Sequence, residues 1–235
     1  MNRGGAVNSY LYSSDKARIV EFVMKMGLMA EVALRGSLEA FIAEDGALAE
    51  KIVAGDDEID AMEKEIDLEC LRSIAMRQPV REELRFIFAV LKTITDLERI
   101  GDESVNIARW VLELKKYPHV PVNPTLLDMR DIAEGMLRDA LTAFQTSNGD
   151  MCAEISCRDE QLDRMYASVY DELVDGVDAF GTGDRGLLRA AAGQMWIARH
   201  LERIGDHVTN VAERVYFMDK GEILQPDQKP VYAHP

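Results

Sequence analysis

Two carboxylates one helical turn apart, Glu98 and Asp102, are followed a turn later by the amide of Asn106, and the same three residue types return at Glu202, Asp206 and Asn210. At that spacing the three side chains share one face of a helix. Carboxylate and amide oxygens are hard ligands, suited to hard cations. Their position in the apolar pattern is unusual. Leu84, Ile87, Leu91 and Ile94 advance by three and four residues, and the same stripe continued reaches Glu98, Asp102 and Val105. Leu188, Ala191, Met195 and Ala198 lead in the same way to Glu202 and Asp206. Acids are therefore expected where the pattern asks for core. Like charges at this spacing repel mildly on a surface and far more strongly when half-buried, unless a cation or an arginine offsets them. Gly101 and Gly205 interrupt the two segments, each about 1 kcal/mol worse than alanine in a helix interior. A close neighbour would explain them.

Further upstream, Asp56 and Asp60 form another such pair beside Ile52, Ile59 and Ile66, and Asp159 with Asp163 stand at the matching positions of the second half. If the helices carrying these acids pack side by side, four carboxylates and an amide converge in each half. The donor set points to iron(III), manganese or magnesium before zinc. An ion-pair reading stands beside it: Arg99 is three residues from Asp102, Arg203 three from Asp206 and Arg199 three from Glu202, and arginines at that distance can neutralise the acids without any metal. On that reading the protein is a metal-free helical scaffold. The remaining acids read as solvated surface, and His119, His200 and His207 as non-ligands. A third reading, a carboxylate-bridged dimetal enzyme, needs a Glu-x-x-His pair, and Ile197 and Ile204 stand three residues before His200 and His207 instead. No nucleophile with an attendant base and no glycine-rich phosphate loop is evident. Catalytic residues are not expected.

The elements that must carry these residues are long amphipathic helices. Sustained period-two alternation is absent, so the fold class is all-α. Helices are predicted over about 18–44, 46–77, 81–116, 124–146, 150–180 and 184–218, with breaks at Asp45-Gly46, Pro79, the proline-bearing "YPHVPVNPT", "SNGD" and "GTGD". Asn123 followed by Pro124 fits an N-cap and first helical position. The segment "LERIGDESVNIARWV" at 97–111 returns as "LERIGDHVTNVAERV" at 201–215, and "DDEIDAMEKEI" from Asp56 is matched by "DEQLDRMYASV" from Asp159. Two matched segments in one order imply duplication of a three-helix unit. The chain is thus expected to form two tandem three-helix bundles, 18–117 and 124–218, joined by a linker at 118–123. Residues 1–17 and 219–235 read as a mobile extension and a mobile tail.

The bulk numbers agree with such a protein. Among 235 residues, 47% are hydrophobic, enough for a buried core, and the formal charge is −15. That field repels nucleic acid and anionic lipid and attracts cations. The three cysteines, Cys70, Cys152 and Cys157, form no CxxC pair and read as reduced thiols, with Cys70 a small core residue. No signal peptide and no apolar run of membrane-spanning length is expected. A cytoplasmic protein follows.

"DLERIGDESVNIAR", "HLERIGDHVTNVAER" and "DDEIDAMEKEIDLECLRSIAMRQPVREELR" together resemble the PhoU family of bacterial phosphate-response regulators, over residues 18–218. The resemblance implies two three-helix bundles and, in some members, multinuclear iron or zinc clusters held by E(D)xxxD motifs. Those motifs are here Glu98 with Asp102, Glu202 with Asp206, Asp56 with Asp60 and Asp159 with Asp163. It also implies an accessory protein of the phosphate-specific ABC transporter that links the transporter's ATPase to the phosphate-sensing histidine kinase. Such a protein keeps phosphate-starvation genes silent when phosphate is plentiful. Self-association into a homodimer is expected of the family, with contact to the membrane only through partners. One departure is visible: Tyr166 stands where the first half has Glu63, so the halves need not bind metal equally.

Overall fold

The computed structural model describes residues 3–180 and 184–224, with side chains described outside 3–12 and 174–180. The described residues form helices and connecting turns with no strand. Seven α-helices follow in order: α1 (Arg3–Ile42), α2 (Gly46–Ala54), α3 (Asp56–Arg77), α4 (Glu82–Leu114), α5 (Pro124–Thr146), α6 (Cys152–Phe180) and α7 (Arg185–Lys220), with a short 3-10 turn at Gly149–Met151. The first bundle comprises α1 to α4 and the second α5 to α7.

Local chemistry starts and stops these helices where the sequence suggests. Asp45 caps α2 by accepting hydrogen bonds from the Ala47 and Leu48 N–H groups at 2.9 and 3.1 Å. Asn123 caps α5 by accepting from Thr125 N–H at 2.8 Å, with Pro124 at the first helical position. Asp184 does the same for α7, accepting from Gly186 N–H at 2.7 Å. Each cap satisfies donors that a helix start leaves unpaired.

Three expectations change. The single helix predicted over 46–77 is two helices, broken at Gly55, whose N–H turns to Ile52 O at 3.1 Å. Asp56, Asp57 and Glu58 then fill the first turn of α3, where the positive end of the helix dipole favours acids. The break therefore places Asp56 at a helix start rather than mid-helix. The first helix begins at Arg3 instead of near residue 18. Within the stretch read as a mobile extension, Asp15 accepts a hydrogen bond from Arg77 Nε at 3.1 Å, tying α1 to the end of α3. At the other end α7 runs two residues beyond 218 and stops at Gly221, whose φ of 77° is left-handed backbone that glycine adopts without strain. Residues 225–235 of the expected tail, 1–2 of the extension and 181–183 of the "GTGD" break lie outside the described residues.

The two bundles lie side by side. The most extensive contact in the molecule is between α4 and α7. Phe88 meets Phe217 with ring centroids 5.9 Å apart, and Trp110 stacks on Trp196 at 6.1 Å. Rising numbers on one helix thus meet falling numbers on the other, and the helices run antiparallel. Around this central pair, α1, α2 and α3 pack on α4, α5 and α6 pack on α7, and α1 also packs on α5. One continuous core results, from Val23, Met26 and Leu34 through Ile94, Leu97 and Ile100 to Ile197, Leu201 and Ile204, all fully buried. Cys70 belongs to it, and burial pushes its thiol pKa up to about 12, consistent with an inert core residue.

Candidate metal centres and the seam between the halves

The acids of the first half assemble on one flank of α4. Leu84 is half exposed, while Ile87, Val90, Ile94, Leu97 and Ile100 are buried. The buried stripe of α4 is consequently rotated from the one read in sequence, because four helices pack around α4 and bury most of its circumference. Glu98 and Asp102 sit at the border of that stripe facing α3, with side chains 16% and 33% exposed. They are half-buried rather than in the core proper, which corrects the sequence expectation.

Close helix packing brings the carboxylates together. A Cβ on Gly101 would lie 2.8 Å from Ile59 Cδ1, so the glycine is the socket into which α3 inserts Ile59. That insertion brings Asp56 and Asp60 of α3 alongside Glu98 and Asp102 of α4. Burial, and then the negative charge of Asp102, raise the pKa of both Asp56 and Glu98, and Asp60 adds to each. Arg99 answers part of this charge: its guanidinium is 3.0 Å from Asp102 and 3.3 Å from Glu98. Asn106 is occupied differently, accepting from Arg109 at 3.0 Å. Arg109 in turn stands 3.8 Å from Asp56.

The second half repeats the arrangement with other details. A Cβ on Gly205 would meet Leu162 Cδ1 and Asp159 Oδ1, both at 2.8 Å. Asp159 is thereby brought against α7, and Asp163 lies on the same side. Burial raises the pKa of Asp163, with Asp206 next in importance, and burial likewise raises that of Glu202. Arg199 donates to Glu202 Oε1 at 2.6 Å. Glu202 Oε2 is buried and has no hydrogen-bond partner. The departure at Tyr166 is also resolved: Thr95 donates to Glu63 at 3.1 Å in the first half, and at the equivalent positions Arg199 lies over the Tyr166 ring at 5.6 Å. Asn210 does not join its acids. It turns to α4 and donates to Asp96 at 3.1 Å.

As placed, the residues fit a metal in type and in one orphaned buried oxygen. Their rotamers serve arginine as well. Among the described residues no three His, Cys, Asp or Glu side chains surround a common point at coordinating distance.

Sequence reasoning missed a second polar feature, at the α4–α7 seam. Glu103, expected on the solvated surface, is buried with 2% exposure. His200 Nδ1 contacts it at 2.6 Å and Arg203 at 2.9 Å. Burial alone would raise the Glu103 pKa, but the hydrogen bond from His200 and the charges of His200, Arg203 and His207 prevail and hold it below the ordinary range. A second pair, Asp96 with His207 at 3.1 Å, lies further along the seam. Asp96 and His200 occupy equivalent positions in the repeat, as do Glu103 and His207. In an interface between duplicated units, position i meets j and j meets i, so the 96–207 and 103–200 contacts are images of one another. The signal was present in the repeat alignment, where acid faces histidine at both positions.

The fold and this chemistry define a class: an all-α protein of two duplicated helical bundles, the middle helix of the first broken at Gly55, that carries an acid-rich helix in each half. The family model for the PhoU domain matches residues 23–111 and again 126–215, and the chain belongs to the PhoU family. The phosphate-specific transport system accessory protein PhoU homolog of Clostridium acetobutylicum is 34% identical over 213 residues, 90% of this chain and 95% of that protein. The Caulobacter vibrioides homolog is 34% identical over 220 residues, 93% of this chain and 94% of its own. The crystal structure of PhoU from Pseudomonas aeruginosa superposes with a TM-score of 0.83 at 31% identity, covering 90% of this chain and 100% of that one. That of the phosphate transport system regulatory protein PhoU from Streptococcus pneumoniae gives 0.82 at 27% identity, covering 91% and 99%. No described helix is long and apolar enough to cross a membrane.

Proposed function

We propose that this protein is an accessory regulator of phosphate-specific transport that restrains uptake and holds the phosphate-starvation response silent when phosphate is plentiful. The observation that carries the reading is the double family match, one PhoU domain in each half, with the Clostridium acetobutylicum and Caulobacter vibrioides homologs aligned over 95% and 94% of their length. On this reading the protein acts in the cytoplasm as a non-enzymatic adaptor, itself a homodimer. It couples the ATPase of the ABC transporter to the phosphate-sensing histidine kinase and reaches the membrane only through them. The test is alkaline phosphatase activity in the source bacterium grown in high phosphate, with the gene deleted and then restored. High activity in the deletion that falls on restoration is expected. Low activity in both strains would overturn the regulatory role.

The acidic helices serve, in the same proposal, to hold metal ions, with iron first and zinc, manganese or magnesium as alternatives. Asp56, Asp60, Glu98 and Asp102 would hold one set and Asp159, Asp163, Glu202 and Asp206 the other. Support comes from the crowding of these carboxylates and from the orphaned Glu202 Oε2. A bound cation would offset the part of the crowded negative charge that Arg99 and Arg199 leave unanswered. The metal-free scaffold has its own supporting observation, the placement of Arg99 and Arg199 on the acids. Metal analysis of the untagged protein, with thermal unfolding of the Asp102→Ala plus Asp206→Ala variant, separates the two. Bound transition metal that the variant loses is expected. No metal, and unfolding identical in both proteins, would leave the scaffold.

A further inference from the structure

Where the two halves meet the linker, a pocket of about 200 Å³ opens between the end of α1, the end of α4, residues 117–122 and the start of α7. Phe41, Val111, Leu114, Val122 and Ala190 supply its apolar walls. The polar lining groups are nearly all engaged. Gln194 accepts from Asn123 N–H at 2.8 Å and donates to Pro121 O at 2.9 Å, which fastens the linker to α7 and fixes the pocket floor. Tyr117 donates its hydroxyl hydrogen to Glu113 at 2.9 Å. His119 and Glu44 are paired with each other at the exposed rim. Lys115 remains: it lines the pocket and its ammonium forms no ion pair among the described residues. Its side chain, ammonium included, lies over the start of α2, where a Cβ on Gly46 would touch the Nζ atom at 2.5 Å and Cδ at 3.1 Å.

We propose that this pocket binds a small amphipathic monoanion, a compact apolar body bearing one anionic group that meets Lys115. The chemistry follows from the inventory. A cavity of apolar walls at the junction of two structural units is the common setting of a ligand site, with a few polar groups fixing orientation. Here the walls select an apolar body, and the one uncommitted charge selects an anion. A cavity of ~150 Å³ accepts a benzene-sized guest, so this one suits a guest of roughly six to ten non-hydrogen atoms. Because α1, α4, the linker and α7 all contribute, an occupant braces the two halves against each other. Ligand binding to the folded state alone raises its stability. The site is separate from both acidic clusters and does not rest on the regulatory reading.

Titration calorimetry and thermal unfolding of the full chain, with hexanoate and octanoate as probes, test the proposal. Hexanol, hexylamine and inorganic phosphate serve as comparisons. Saturable carboxylate binding with a rise in Tm is expected, with the alcohol and amine weaker by about tenfold or more. Lys115→Met, at an exposed position, is expected to erase the preference for acid over alcohol, and Val122→Phe, which fills the cavity, to remove binding of both. The proposal is overturned by the absence of saturable carboxylate binding, or by affinity that neither variant changes. Phosphate that binds as tightly as octanoate and competes with it also overturns it.

Discussion

Glu98 is held between opposing influences. Burial, then the neighbouring charge of Asp102, push its pKa up, Arg99 pulls it down, and Glu63 and Asp60 push again. The net direction is upward, which fixes the sign of its contribution to stability. A carboxyl whose folded pKa exceeds its unfolded value is penalised in the fold once both states are ionised. The penalty is therefore present at neutral pH and disappears as pH falls below the ordinary carboxylate range. In chelator, Glu98→Gln is expected to unfold at a temperature equal to or about 1–2 °C above the parent at neutral pH. The advantage should vanish near about pH 4. Arg99 keeps Asp102 as its partner in the variant, so no cation is orphaned. A lower Tm at neutral pH would show that the Arg99–Glu98 contact outweighs the crowding. If the acidic helices hold metal as proposed, an excess of that metal should reverse the order, since the variant would lack a ligand.

At the scale of elements, the glycines inside α4 and α7 are sockets. The residue that each admits is a side chain of the neighbouring helix, Ile59 for Gly101 and Leu162 for Gly205, with the Asp159 carboxylate beside the latter. Close approach of α3 to α4 is thus what brings their acids together. Gly101→Ala gains about 1 kcal/mol of helix propensity and pushes only on the end of a flexible isoleucine. The two effects should roughly cancel. Gly101→Leu must displace α3, and overpacking of this kind costs about 1–3 kcal/mol. Urea midpoints are expected to be unchanged for alanine and clearly lowered for leucine. Equal midpoints for the two variants would remove the socket argument, and any metal affinity should fall with leucine, because the α3 carboxylates move away.

For the whole molecule the decisive feature is the seam. The buried carboxylate of Glu103 on α4 is held across the seam by part-buried His200 and by Arg203, whose side chain reaches in from the exposed face of α7. On the other side Leu141 packs where a Cβ on Gly27 would come within 2.3 Å of its Cδ2, so α1 and α5 are also in direct contact. Neither bundle can open without exposing the other. Calorimetry is therefore expected to show one unfolding transition. His200→Leu removes a hydrogen bond to a buried carboxylate, which costs about 2 kcal/mol. It should lower Tm by about 4–8 °C and leave the transition single. Two resolved transitions, in the parent or the variant, would mean that the halves are independent.

Much of this protein was decided by sequence alone: its all-α class, the duplication, the break at Asp45-Gly46, the cap at Asn123, the place of Glu98 and Asp102 one turn apart on a single helix, and the family. These are local or periodic properties, written within a few residues of one another or at a constant offset, so they need no knowledge of which helix meets which. Tertiary structure decided the rest. Leu84 and Glu103 changed places with their expected environments, exposed and buried respectively, because four helices surround α4 and a single apolar stripe cannot describe it. Asn210 left the acids for Asp96 because the two halves pack antiparallel through α4 and α7. The histidines that sequence set aside became partners of Asp96 and Glu103 for the same reason. Which residues share a helix face follows from the chain; which faces meet is set only when the bundles bury their common core.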